Sequence, residues 1–250
     1  MLDVDGTLVP YDYEAVPSDV VAQAVKKASE KVTVSLVTGR EYGFVQHILE
    51  KLDIKKGYAV VNNGANVVEI GTERLLYDQP IEQEEAAYII KTLSEADMPF
   101  YVKQHYLDRT FLTGYFQKDQ KLEKAYMFFV PEEFSEEQVD KVFKKFSSLS
   151  RVTFYKSSHS SPNKFGLNIT HLAATKMHGV EVLMKQLGLK REEIIGVGDS
   201  YNDFPLLMAS GLKVAMGNAI PGLKAIADYV APSVTEDGVA DVINKFILKK

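Results

Sequence analysis

The chain has 250 residues, 46% hydrophobic and 25% charged, with 16 Gly and 9 Pro, a globular composition that excludes disordered, collagen-like and low-complexity classes and leaves room for one large domain or two small ones. A net charge of −5 gives no electrostatic reason to bind nucleic acid or an anionic membrane surface. The absence of cysteine excludes disulfides, thiolate zinc sites and cysteine nucleophiles; with no signal-like start and no apolar run near ~18 residues, it predicts a cytoplasmic protein.

The chain begins as strand, loop and helix. Met1-Leu2 leads into Asp3-Val4-Asp5-Gly6-Thr7, and Pro17-Ser18 opens a helix whose apolar positions Val21, Ala24, Val25 and Ala28 share one face. Val32 to Val37 reads as a buried parallel strand ending at Thr38-Gly39-Arg40, and Tyr58 to Val61 as another ending at Asn62-Asn63-Gly64. Between them Val45, Ile48, Leu49 and Leu52 mark a helix. Polar residues and glycines recur at the C-terminal ends of the strands, which predicts an α/β fold, a doubly wound parallel sheet with its site along that edge.

From about Val67 to Thr170 the rhythm changes. Four strand-like pieces, at 100–103, 126–130, 152–155 and 165–169, mix with helices at 83–96 and 135–146, as in an α+β module with an antiparallel sheet. After Lys176 the first rhythm returns: a helix ending at Gly188, a strand from Ile194 ending at Gly198-Asp199, a helix, a strand at 212–215 and two last helices. The chain is therefore divided into core residues 1–69 and 171–250, one doubly wound domain split by an insertion at 70–170. The charge is evenly spread and there is no heptad run, which fits a monomer or homodimer.

Asp3 and Asp5 crowd two carboxylates just past a buried strand, where an isolated pair calls for a cation or a proton; the plainer reading is an Asx-type turn. Three further strand or helix ends weigh against the plainer reading. Thr38 offers a hydroxyl beside Gly39, Asp199 and Asp203 repeat the paired acids, and Lys176 lies four residues before Val180 on the apolar face of its helix, where a lysine needs a buried anion. Acids, a hydroxyl and an ammonium along one edge suit a hard cation and a phosphoryl group.

These residues carry a resemblance. Asp3-Val-Asp-Gly-Thr-Leu8, Thr38-Gly-Arg40, Lys176 and Gly198-Asp-Ser-Tyr-Asn-Asp203 resemble the four ordered motifs of the haloacid dehalogenase superfamily, in particular its Cof-type sugar-phosphatase branch with a large α+β cap. Asn63-Gly-Ala65, Val214-Ala-Met-Gly-Asn-Ala219 and Glu236-Asp-Gly-Val239 are similar to further stretches of that branch. Two departures stand out. Only Met1 and Leu2 precede Asp3, so the central strand is short or a few residues ahead of Met1 are missing, and Met177 follows Lys176 where the family usually has glycine; Lys164 is the alternative lysine.

The resemblance implies a two-step phosphoryl transfer. Asp3 is the nucleophile and Asp5 the proton donor and acceptor, Thr38 and Lys176 complete the catalytic set, and Mg²⁺ is held by Asp3, the Asp5 carbonyl and Asp199, with Asp203 orienting Lys176 or a metal water. Thr7, Gly39, Arg40, Asn63 and Asn202 are implied on the phosphate side. The function so implied is a Mg²⁺-dependent phosphatase acting on a small organic phosphate monoester, such as a sugar phosphate or phosphoglycolate, with the insertion as a cap. The alternatives are a phosphomutase of the same chemistry and a non-catalytic phosphoacceptor.

Competing motifs fail: Tyr201 stands where a dinucleotide fingerprint needs its third glycine, and the histidines lack zinc spacing. The segment from Lys156 to Lys164 reads as a solvated polar loop, with Lys156, His159 and Lys164 the candidates for substrate contact within it.

Overall fold

The computed structural model describes residues 1–107, 114–117, 121–157 and 163–249; the candidate His159 lies outside them. In chain order the elements are α1 (Asp19–Ala28), β1 (Leu36–Val37), α2 (Gln46–Lys51), β2 (Gly57–Val61), β3 (Asn66–Ile70), β4 (Arg74–Asp78), α3 (Gln83–Glu95), β5 (Tyr101–Lys103), β6 (Met127–Phe134), α4 (Glu136–Lys145), β7 (Val152–Ser157) and β8 (Phe165–His171). They continue with α5 (Lys176–Leu187), β9 (Ile195–Gly198), α6 (Phe204–Met208), β10 (Leu212–Ala215), α7 (Pro221–Ile226), β11 (Tyr229–Val230) and α8 (Gly238–Ile243). They form two compact units, Met1–Asp78 with Thr175–Lys250, and Gln79–Ala174.

In the first unit a parallel set β11-β10-β9 and a set β1-β2-β3-β4 are joined through Leu2, which bridges Leu36 on one side and Val197 on the other. Leu2 N donates to Ser35 O, Val37 N to Leu2 O and Asp3 N to Val197 O, so the short central segment is held on both sides. The strand read at 32–37 is cut to Leu36–Val37, because its ladder to β2 runs only over Leu36↔Ala59 and Val37↔Val60. β3 and β4 extend the sheet antiparallel to β2. Residues 74–78, which the sequence reading placed in the insertion, are therefore tied to the first unit by their pairing with β3.

Local sequence explains the helices of this unit. Ser18 caps α1 by accepting from Val21 N, Asp19 sits in its first turn and Lys26 and Lys27 in its last, matching the helix dipole at both ends. The face it buries is Val21, Ala24, Val25 and Ala28. On α5, Thr175 accepts from His178 N and Gly188 ends the helix with φ 65, while Val180 and Leu183 are fully buried; each such side chain contributes roughly 1.5–3 kcal/mol. Gly64, with φ +104, allows the start of α5 to approach: a Cβ there would lie 2.0 Å from Thr175 O.

The second unit is an antiparallel sheet, β5-β6-β8-β7. Strand alternation sends Phe128, Val130, Leu167 and Ile169 into one apolar cluster, which Ala86, Ile89 and Leu93 of α3 and Val139 and Val142 of α4 complete. A capping box between Ser135 and Gln138 starts α4. Lys156 pairs with Glu136 at 2.8 Å and Asp140 at 2.9 Å, and Lys164 donates to Glu133 O at 3.0 Å. No helix among the described residues is long and apolar enough to cross a membrane.

Candidate active site

The parallel sheet brings its chemistry to one edge. Asp3 follows Leu2, Thr38 follows β1, Asn62 and Asn63 follow β2, Asp199 follows β9 and Asn218 lies just past β10, each where a parallel strand gives out. Backbone bonds lock these ends together: Thr38 N donates to Val60 O, Asn63 N to Thr38 O and Asn62 N to Arg40 O, at 2.8, 3.0 and 2.9 Å. Asn63 takes a left-handed φ of 56, and a Cβ on Gly39 would come 3.0 Å from its Oδ1, so glycine makes room for that side chain.

Lys176, in the first turn of α5, is the cation at the centre. It is 1% exposed and donates through Nζ to Asp3 Oδ1 and, at 2.6 Å, to Asp203 Oδ1. The other oxygen of Asp203 accepts from the backbone N–H groups of Asp199 and Ser200, both at 2.9 Å. Asp203 thus spends both oxygens fixing Lys176 and the turn after β9. Thr175 caps the helix without a glycine after Lys176, so Met177 does not disturb its start. The alternative, Lys164, is an exposed donor to a backbone carbonyl.

Asp3, Asp199 and Asp203 each place one carboxylate oxygen within 4.8 Å of the others, and all three are buried. Two oxygens on one Mg²⁺ stand at most ~4.2 Å apart, so a small closure suits a hard cation, and carboxylates are the donors such an ion takes. Three carboxylates face one ammonium here, and the electrostatics follow. Burial, then the charge of Asp203, pushes the Asp3 carboxyl well above the usual carboxylate range against the pull of Lys176. Burial likewise raises Asp199. It works against the charge of Lys176 too, yet Asp3 and Asp203 outweigh it and hold the ammonium up at about 12.

Asp5 stands apart from this cluster. Its carboxylate takes a forked pair from Arg40, Nε to Oδ2 at 3.0 Å and Nη2 to Oδ1 at 2.6 Å. Arg40, 1% exposed, gives its remaining N–H groups to the carbonyls of Tyr13, Asp12 and Phe44 at 2.9, 2.9 and 3.4 Å, and lies over the Tyr13 ring. A guanidinium has five donors, and all five are taken. Arg40, expected on the phosphate side, here clamps Asp5 and the 12–13 backbone. Thr7 is also redirected, its hydroxyl donating to Asp199 Oδ1 at 3.2 Å. Thr38 is fully buried and accepts from Arg40 N at 3.1 Å. Asn202 is exposed on the turn that presents Asp203.

Two residues at this edge were missed as individual candidates. Tyr11 donates its hydroxyl to Asp199 Oδ2 at 2.6 Å, and Asn218 donates to Gly6 O at 2.8 Å and to Asp199 Oδ2 at 3.4 Å. The strand-end rule that found Asp199 applies equally to Asn218; Tyr11, an aromatic residue in a loop, carries no such signal.

Comparison with known proteins follows the same chain from end to end. A family model described as haloacid dehalogenase-like hydrolase matches residues 1–243. The protein YxeH of Bacillus subtilis is 28% identical over 273 residues, covering 100% of this chain and 98% of its own. Phosphoglycolate phosphatase 1 of Saccharolobus solfataricus is 27% identical over 249 residues, covering 99% and 94%. Among solved structures, TM0651 of Thermotoga maritima superposes with a TM-score of 0.81 over 98% of this chain and 95% of that one at 22% identity, a likeness of fold.

Proposed function

The chain belongs to the haloacid dehalogenase-like hydrolases, and from that premise we propose that it is a Mg²⁺-dependent phosphatase of small organic phosphate monoesters, working through a phosphorylated Asp3. The observation that supports this most is the buried Lys176 shared by Asp3 and Asp203 beside Asp199. A lysine and three acids kept out of water cost folding energy unless a ligand completes them. The relative from Saccharolobus solfataricus, a phosphoglycolate phosphatase by name, supports the same reaction class.

Asp3, Asp199 and the backbone carbonyl of Asp5 would hold the ion. When bound, Mg²⁺ supplies positive charge against the phosphoryl oxygens. An oxygen of Asp3 forms the new bond to phosphorus as the ester P–O bond breaks, and Lys176 offsets the charge of the approaching anions. Thr38 donates a hydrogen bond from its hydroxyl to a phosphoryl oxygen. Asp5, once it leaves the fork of Arg40 and takes up a proton, protonates the departing alkoxide; it then removes a proton from the water that attacks phosphorus and frees Asp3. A non-catalytic phosphoacceptor has no use for this second, separately held carboxylate. The test is release of phosphate from p-nitrophenyl phosphate by the purified chain with and without Mg²⁺. No release in either condition rejects the reading.

A further inference from the structure

Asp199 is the one acid of the cluster whose two oxygens are both met by side-chain hydroxyls. Thr7 donates to Oδ1 at 3.2 Å and Tyr11 to Oδ2 at 2.6 Å. Tyr11 is 70% exposed, so apolar burial contributes little to keeping it where it is; the hydroxyl bond and the backbone on either side do that. The backbone on its C-terminal side is fixed by Arg40, which grips the carbonyls of Asp12 and Tyr13, and by the bond from Asp12 N to Pro10 O at 2.7 Å. A third side of Asp199 is closed by Gly6, where φ is +77 and a Cβ would lie 2.2 Å from Oδ2.

We infer that Tyr11 is a positioning residue of the cation site, its hydroxyl holding the Asp199 carboxylate in the orientation that faces Asp3 and Asp203. The inference rests on the metal reading above. A carboxylate on a short side chain turns freely about its last bond, and donors on both oxygens stop that rotation; Oδ1, met by Thr7 alone, keeps a lone pair for a cation, while Oδ2 takes Tyr11 and, at 3.4 Å, Asn218. Such outer partners fix a ligand before the ion arrives, and their loss typically costs 10–100-fold in metal affinity. The clamp of Arg40 on residues 12–13 thereby acts at a distance on Asp199, through the placement of Tyr11.

The experiment titrates Mn²⁺ and Mg²⁺ calorimetrically into the metal-stripped chain, unchanged and as Tyr11→Phe, and records the thermal midpoint of both stripped proteins. Phenylalanine keeps the ring and removes only the hydroxyl. The expected result is an affinity for both ions weaker by ~10–100-fold, with the stripped midpoints nearly equal. Equal affinities overturn the inference, as does a lower stripped midpoint with unchanged affinity, which is what a purely structural bond gives. Tighter binding by Tyr11→Phe also overturns it, because the hydroxyl then competes with the ion. If the unchanged chain binds neither ion, the metal reading itself fails, an outcome distinct from the other three.

Discussion

Two buried cations serve this edge of the sheet, and they are built on opposite principles. Arg40 is a planar fork whose five donors are matched by one carboxylate and three carbonyls; while Asp5 sits in the fork, its charge is balanced one to one and every donor is taken. Lys176 is a compact charge between two carboxylates, with a third, Asp199, beside them. Its surroundings are over-supplied with negative charge, and the excess is what a divalent ion would neutralise. Sequence alone puts an arginine and a lysine on the same footing as candidates for phosphate. Their partners separate them: a cation with all donors taken is a clamp, and one held in an acidic excess is poised for a ligand.

Removing the excess is the sharpest way to test that contrast. Asp3→Asn takes away the proposed nucleophile and cation ligand with little change of shape, and turnover of p-nitrophenyl phosphate should fall to background. The stripped protein should gain stability. Unfolded, Asp3 titrates near ~3.9; folded, burial and Asp203 raise it. The folded chain therefore holds a proton that the unfolded chain releases, so this group's contribution falls as pH rises from about 4 through the raised value. The variant lacks that loss, and its thermal midpoint in chelator should exceed that of the unchanged chain by a margin that grows from acid to neutral pH. A margin independent of pH would mean that Asp3 is not strained by its neighbours.

Lys176→Met comes next. It should lower kcat by roughly 10²–10³-fold, more than it raises KM, because the charge matters most as the two anions meet. It also leaves Asp3 and Asp203 facing each other without their ammonium, and breaking a buried pair costs about 3–5 kcal/mol. That loss should shrink toward acid pH, where a proton takes over from the ammonium. Near wild-type kinetics would return the lysine to a structural role.

The contrast also shows what could be read from the chain. Strand ends were legible because apolar runs stop abruptly at Thr38, Asn62 and Asp199, and on a parallel sheet such stops share an edge. Lys176 was legible because it interrupts the apolar face of α5. The antiparallel pair β3 and β4 was not, since Asn66–Ile70 and Arg74–Asp78 carry no composition that separates a core edge strand from the start of an insertion; the pairing of Val67 and Val68 with Tyr77 and Leu75 decides it. The job of Arg40 was hidden for a related reason. Its partners are mostly backbone carbonyls of residues 12, 13 and 44, and a carbonyl has no identity in the sequence.

Arg40→Lys probes the clamp directly. An ammonium has three donors and cannot span Asp5 and three carbonyls, so the variant should lose about 2–3 kcal/mol of stability. Because the fork's donors are taken by Asp5 and three carbonyls, KM for p-nitrophenyl phosphate should stay within about threefold where the protein is folded, well short of the tenfold that each ~1.4 kcal/mol of lost binding brings. A KM raised by an order of magnitude in a folded variant would restore the arginine to the phosphate side and erase the distinction drawn from its partners.

The smallest effect is expected from a third cation, Lys156, which bridges from β7 to Glu136 and Asp140 on α4. Its hydrogen bonds to those two acids lift its pKa above the ordinary lysine value, yet the pair is at the surface, where water and salt screen it. Lys156 resembles Lys176 in its partners and Arg40 in having no free role, which makes it the useful intermediate. Lys156→Met should lower the thermal midpoint slightly in dilute buffer, and the difference should disappear in concentrated salt. The kinetic constants for p-nitrophenyl phosphate should not move, since its ammonium is already committed to α4. A change in KM that survives high salt would show instead that two carboxylate partners do not take a lysine out of service, and the same reasoning about Arg40 would lose its force.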